Sequence, residues 1–328
     1  MDIKRKFRTE FVSRKSSVTL DPRQPVALVG SCFADNIAAK MRDVLWEGVN
    51  PLGALYNPLS ISTALRLMLF SLFPERDFEK TLFLHEGKYH SRLFGSGFSA
   101  WSAVDCMAAF REKRLALSST LAKGNVLIVT FGTAYAYFLK DAEVIPVGNC
   151  HKCPSSDFTR RRLGIDEIEE DWQSLLNELK KRLPELKVIF TVSPVRHLKD
   201  GFSENTRSKA VLQLAVENLC NANDFCTYFP AYEILNDDLR DYRFYASDMV
   251  HPSEEAVDYI WDNFLAVFLD DQGKCRIKEG DRLGRALRHR PIPDASVLIP
   301  DEVRKVQDER DALLQKELEN FNDNNFKI

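Results

Sequence analysis

Acyl transfer needs a nucleophile, a base and a group that orients the base, and this chain offers one of each at its two ends. Ser31 stands in "VALVGSCFADNIAAKM" (26–41), where an apolar run stops at Gly-Ser-Cys and Phe33, Ile37 and Met41 then recur at helical spacing. The pattern reads as a strand covered on both faces handing over to a helix. The unpaired N–H groups of that helix start stabilise negative charge, although a serine in such a turn often does no more than cap the helix. Near the other end, "SDMVHPSEEAVDYIW" (247–261) places Asp248 three residues before His251, ahead of a helix that Ser253 is expected to cap. At that spacing a carboxylate can hold the imidazole Nδ1–H and leave Nε2 free to take a serine proton.

Residues this far apart meet only if the fold brings them together. Buried strands are expected at 26–30, 126–131 ("VLIVTF") and 188–193 ("VIFTVS"), with weaker ones near 44–49 and 225–229. Helical periodicity predicts helices over 33–41, 59–73, 103–122, 167–182, 204–222 and 254–268. Strands alternating with helical crossovers imply a parallel, doubly wound α/β sheet. Its carboxyl edge would gather Ser31, "NPLGALYNP" with Gly53 and Asn57, "FGTAYAY" with Gly132 and Thr133, and "SPVRH" with Arg196 and His197. His90 and His151 join Arg196 and His197 as candidates for binding substrate. The stretch 74–101, rich in aromatics and glycine, breaks the rhythm and reads as an inserted hairpin or lid. The expected division is a catalytic domain over 1–270 and a C-terminal extension over 271–328. The extension contains "RPIPDASVLIP" and a charged helix from Asp301 to about Phe321, suited to a surface arm or a homo-oligomer contact.

Composition narrows the classes. With 328 residues, 45% of them hydrophobic, the chain can bury a large core. A net charge of −3 without a basic stripe argues against nucleic acid or an acidic membrane as partner. No apolar run reaches the length of a membrane span, and the basic start lacks a signal-peptide core, so a cytoplasmic location is expected. Seven scattered cysteines fit reduced thiols rather than a disulfide framework. "CHKC" (150–153) lacks the second close pair that a structural zinc site would use, and Cys32 reads as a packed helix residue, so neither metal nor cofactor is expected.

"GSCFA" (30–34), "NPLGALYNP", "TFGTAY", "NCHK", "SPVRH" and "DMVHPS", in this order, resemble the GSCFA family, relatives of the SGNH/GDSL hydrolases. The resemblance covers roughly residues 7–270. It implies a flavodoxin-like three-layer α/β/α sandwich, ester chemistry, and Ser31, Asp248 and His251 as the triad. Two positions depart from the hydrolase pattern. The first block reads Val-Gly-Ser (29–31), and the third reads Gly-Thr-Ala (132–134) where Gly-x-Asn supplies an oxyanion donor. Loss of one such donor costs roughly a hundredfold or more in rate. The replacements considered are the backbone N–H of Ser31 and groups of Gly53, Asn57, Gly132 and Thr133. The reading is a serine esterase acting on a small acyl ester or acylated sugar. An O-acyltransferase using the same triad, and a non-catalytic small-molecule or carbohydrate binder, are the alternatives.

Overall fold

A computed structural model describes residues 9–288 and 301–323, without the side chains of 142–144 and 301–307. The central sheet is built from β1 (Val26–Gly30), β2 (Gly48–Val49), β5 (Val126–Phe131), β9 (Lys187–Val192) and β10 (Cys226–Phe229). All its pairings are parallel and the order is β2-β1-β5-β9-β10. In sheet-strand numbers this is 2-1-3-4-5, the flavodoxin-like winding, which reverses direction between β1 and β5. The two-residue alternation of the strands separates two cores. Ala27, Val29, Leu127, Val129 and Phe131 face one core; Val26, Leu28, Val126 and Ile128 face the other.

The first core is closed by α2 (Pro58–Leu69), α4 (Ala103–Gly124), α5 (Ile165–Arg182) and α6 (Phe202–Ala222). The second is closed by α1 (Cys32–Asp43) and α8 (Glu254–Phe268). Helices therefore cover both faces of a parallel sheet, giving a three-layer α/β/α sandwich. Each helix expected from periodicity is present, and the 59–73 helix stops earlier, at Leu69.

Two features depart from the sequence reading, and the segment 74–101 contains the hairpin expected as one of its two forms. The segment 74–101 holds a short helix α3 (Pro74–Glu79) and a hairpin of β3 (Leu82–His85) and β4 (Lys88–Ser91). Its aromatics are part of the core: Phe78 stacks on Phe110 of α4 with ring centroids 4.3 Å apart, and Phe94 stacks on Phe98 at 4.2 Å. A second, antiparallel sheet of β6 (Tyr135–Leu139), β7 (Ala142–Val147) and β8 (Phe158–Arg162), ordered β7-β6-β8, follows the third parallel strand.

The chain past Leu269 also stays on the main body. After α7 (Ala231–Glu233) and a π-helical turn at Ile234–Leu239 come α8 and then α9 (Asp271–Arg288), whose Ile277 joins the second core. Helix α9 seats against the end of α1 because it presents glycines there. A β-carbon on Gly280 would lie 2.0 Å from Val44 O, and one on Gly284 would lie 2.2 Å from Asp43 O. Helix α10 (Asp301–Asp323) packs on α9 through Leu314 and Phe321 against Leu283. The "RPIPDASVLIP" stretch and the first eight residues lie outside the described residues. No described helix is long and apolar enough to cross a membrane.

Candidate active site

Ser31 is delivered by the end of β1 at the winding reversal. Gly30, with φ +130°, makes the turn possible; a β-carbon there would meet Thr130 O at 2.1 Å. Ser31 then caps α1, its Oγ accepting from Phe33 N–H at 3.4 Å, while its own N–H donates to Thr130 O at 3.0 Å. The residue is fully buried. Its neighbour Cys32 is half-buried, and burial followed by the nearby Asp35 carboxylate pushes that thiol's pKa up, away from thiolate.

The Asp248–His251 pair forms locally. The Asp248 Oδ1 accepts from both Val250 N–H and His251 N–H at 2.9 Å, and Oδ2 meets His251 Nδ1 at 2.6 Å. The backbone bond from His251, then its imidazole and then Val250 N–H, hold the Asp248 carboxyl down to about 2. The loop is fixed to the sheet edge because Arg196 N–H, just past β9, donates to Val250 O at 3.1 Å. The Arg196 guanidinium lies 3.9 Å from the centre of the Tyr245 ring, holding the other side of the same loop.

These elements surround a cleft of about 510 Å³ at the carboxyl edge of the sheet. Its described lining includes Cys32, Tyr56, Asn57, Thr133, Arg196, His197 and His251, together with Tyr135, Tyr137, Arg160 and Lys199. No carboxylate is among them. Lys199 donates to the Tyr137 hydroxyl at 2.7 Å, and Arg160 makes a two-pronged pair with Asp200 at 2.6 Å while lying 4.0 Å from the centre of the Tyr135 ring.

The expected oxyanion groups are all engaged. The segment after β2 crosses the ends of β1 and β5, with Leu55 N–H donating to Gly30 O at 2.7 Å. Tyr56 O then accepts from Gly132 N–H at 2.7 Å and from Thr133 N–H at 3.0 Å. Thr133 Oγ1 is 3.1 Å from Ser208 Oγ. The Asn57 side chain caps α2, accepting from Ser60 N–H and donating to Ser60 Oγ, both at 2.9 Å. Gly53, at φ +67°, donates weakly to Asn50 O at 3.4 Å and is not in the lining.

Two histidines expected beside the substrate lie elsewhere. The His151 Nε2 faces the carbonyls of Ser91 and Phe94 at 2.8 and 3.0 Å, and His90 Nδ1 meets Ser99 Oγ at 2.8 Å. Their rings lie 4.5 Å apart between centroids, tilted by 39°, with His90 on strand β4 and His151 in the left-handed turn that folds "CHKC" back on itself. Among the described residues no group of three or more His, Cys, Asp or Glu is placed to hold a metal ion.

Two further residues complete the floor. A β-carbon built on Gly132 would lie 3.2 Å from His197 Nε2 and 3.2 Å from Ser31 Cβ, so the imidazole and the serine approach the same point. Burial, then the Lys209 charge, hold the His197 pKa down to about 3, so the ring is neutral. Lys209 of α6 is itself fully buried, which lowers its ammonium to about 7. Its Nζ donates to Gly132 O and Ser193 O, each at 2.6 Å, tying together the exits of β5 and β9. The sequence reading passed over Lys209, yet its spacing to Leu212 and Val216 puts it on the buried stripe of α6.

No curated protein matches the chain in sequence. Among the solved structures with a remote likeness are two. One is a candidate platelet activating factor from Streptococcus pneumonia, at 11% identity and TM-score 0.38, covering 74% of this chain and 84% of that one. The other is a candidate GDSL-like lipase from Parabacteroides merdae, at 13% identity and TM-score 0.35, covering 77% and 97%. The family model agrees with the motifs themselves: the model of the GSCFA family matches residues 25–264, from the first strand of the sheet through most of the helix behind the Asp-His loop. The chain belongs to the GSCFA family.

Proposed function

We propose that this GSCFA protein is a serine hydrolase that cleaves a polar acyl ester such as an acylated carbohydrate. The observation that carries the reading is the oriented Asp248–His251 pair, with Nδ1 on the carboxylate at 2.6 Å and His251 lining the same cleft as Cys32, the residue next to Ser31. In this scheme Ser31 Oγ attacks the acyl carbon, His251 Nε2 takes its proton and returns it to the leaving alcohol, and Asp248 holds the ring's tautomer. Water then resolves the acyl-enzyme; a sugar hydroxyl entering at the same point gives O-acyl transfer by the same steps. Ser31 is covered in this structure, so the floor must open for substrate to reach it.

The lining tyrosines with Arg196 and Lys199 support a polar acyl ester over a long lipid, since the rings stack on sugar faces and the guanidinium and ammonium groups hydrogen-bond hydroxyls. The raised thiol pKa of Cys32 counts against that neighbour as nucleophile. The test is turnover of short-chain acyl sugars beside long-chain acyl esters, by the wild type and by Ser31→Ala. Faster cleavage of the sugars, lost in Ser31→Ala, is expected. Equal activity in that variant refutes Ser31 as nucleophile, and preference for long chains refutes the substrate class. A protein that binds acyl sugars without cleaving either substrate is a binder.

A further inference from the structure

We propose that His197, donating from Nε2, is the side-chain oxyanion donor of this centre, in the place where the Gly132-Thr133-Ala134 turn offers only a methyl group. The inference rests on the reading of Ser31 as nucleophile and adds a catalytic residue to it. The argument begins with the donors near Ser31. The N–H groups of Ser31, Gly132 and Thr133 donate to Thr130 O or Tyr56 O. Ala134 N–H donates to Ser208 Oγ at 2.7 Å, and Lys209 Nζ is held by two carbonyls. His197 Nε2 differs from all of these: it is buried and has no hydrogen-bond partner.

Buried polar atoms without partners are uncommon and costly, and they persist where a ligand group satisfies them. The β-carbon position of Gly132 lies 3.2 Å from both Ser31 Cβ and His197 Nε2, so the unpartnered ring nitrogen and the serine flank the same glycine. His197 lines the cleft, and its ring is edge-on to Tyr56 with centroids 5.6 Å apart. In the proposed geometry a carbonyl that bonds Ser31 Oγ from the cleft brings its oxygen to Nε2.

The chemistry balances with His197 as a donor. As the Ser31 Oγ–carbon bond forms, the Oγ proton passes to His251 Nε2 and the carbonyl π pair moves onto oxygen, where His197 Nε2–H holds it. Collapse restores the carbonyl and expels the alcohol, which takes the proton back from His251. A ring that burial and Lys209 keep neutral is suited to donate and unsuited to store the proton. The base role stays with His251, which has the carboxylate that His197 lacks; His197 instead anchors its backbone N–H on Asn205 Oδ1 at 2.8 Å.

The test measures the rate at which a fluorophosphonate labels Ser31, read by mass spectrometry across pH, for the wild type, His197→Ala and His197→Gln, with thermal unfolding as the check on folding. Phosphonylation builds charge on the P–O oxygen and needs no knowledge of the substrate. His197→Ala should label roughly 10²–10³-fold more slowly with its pH profile unchanged. His197→Gln, whose amide N–H can replace the ring donor, should recover to within about tenfold of the wild type. Labelling of His197→Ala within about fivefold of wild type, or no recovery in a folded His197→Gln, overturns the inference while leaving Ser31 as nucleophile. A wild type that does not label at Ser31 overturns both readings.

Discussion

Replacing Lys209 with Met keeps most of the stem in its buried slot and removes the donor that joins Gly132 O to Ser193 O. Two opposed effects follow. Each orphaned buried carbonyl costs about 1–3 kcal/mol, so the pair costs about 2–6 kcal/mol. Against this, the wild type bears the cost of burying an ammonium whose pKa falls from 10.5 unfolded to about 7 folded. Between those values the unfolded chain binds the extra proton, so wild-type stability rises with pH, by about 1.36 kcal/mol per unit. From pH 7 to pH 10 this gives about 4 kcal/mol, and below pH 7, where both states are charged, the burial cost is present in full. Deprotonation does not break the clamp, because a neutral amine still carries two N–H donors for two carbonyls. Lys209→Met should therefore differ little from wild type near pH 7 and fall behind it by about 2–6 kcal/mol at pH 10. Urea unfolding of both proteins at each pH unit from 7 to 10 measures the difference and cancels the other alkaline titrations. A gap that stays constant within about 1 kcal/mol would refute the account of Lys209 as a buried, titrating clamp.

Other outcomes follow from the same geometry. Asp248→Asn should lower kcat by roughly 10³–10⁴, because the neutral amide no longer fixes the Nδ1–H tautomer; a loss under tenfold in steady-state assays would remove Asp248 from the triad. Since its carboxyl is held to about 2, Asp248 stays ionised from pH 4 upward. An activity limb above pH 4 that persisted unchanged in Asp248→Asn would then have a different origin from the pair. Phe78→Ala should cost about 3–5 kcal/mol in urea unfolding if 74–101 is core, and under about 1 kcal/mol if it is a detachable cover. Gly280→Ala should destabilise by about 1–3 kcal/mol because its β-carbon meets Val44 O; an unchanged midpoint would mean α9 is not seated on α1 as described.

What the sequence determined is what local chemistry determines. The continuous apolar runs of β1, β5 and β9 and the helical periodicity around them specify a parallel sheet covered on both faces. The order of the polar motifs then follows from the rule that such sheets gather ligands at one edge. The Asp248–His251 pair was legible because its contacts close within a three-residue turn, Asp248 Oδ1 taking the two backbone N–H groups that fix the loop. Long-range packing decided the rest. Whether His151 faces substrate or the hairpin depends on the Ser91 and Phe94 carbonyls 60 and 57 residues away, which no local pattern encodes. The aromatics of 74–101 looked like an accessory because their partner, Phe110, lies on a different helix. Helix α9 hid behind glycines that weaken a helix locally and are tolerated because a closer approach to α1 replaces what they lose. The occupation of the expected oxyanion donors by Tyr56 O and the Ser60 and Ser208 side chains, and the orphaned His197 Nε2 beside Ser31, arise where three strand exits meet. A buried polar atom's partners there are set by the tertiary fold, and residue type alone does not say which donor is left free.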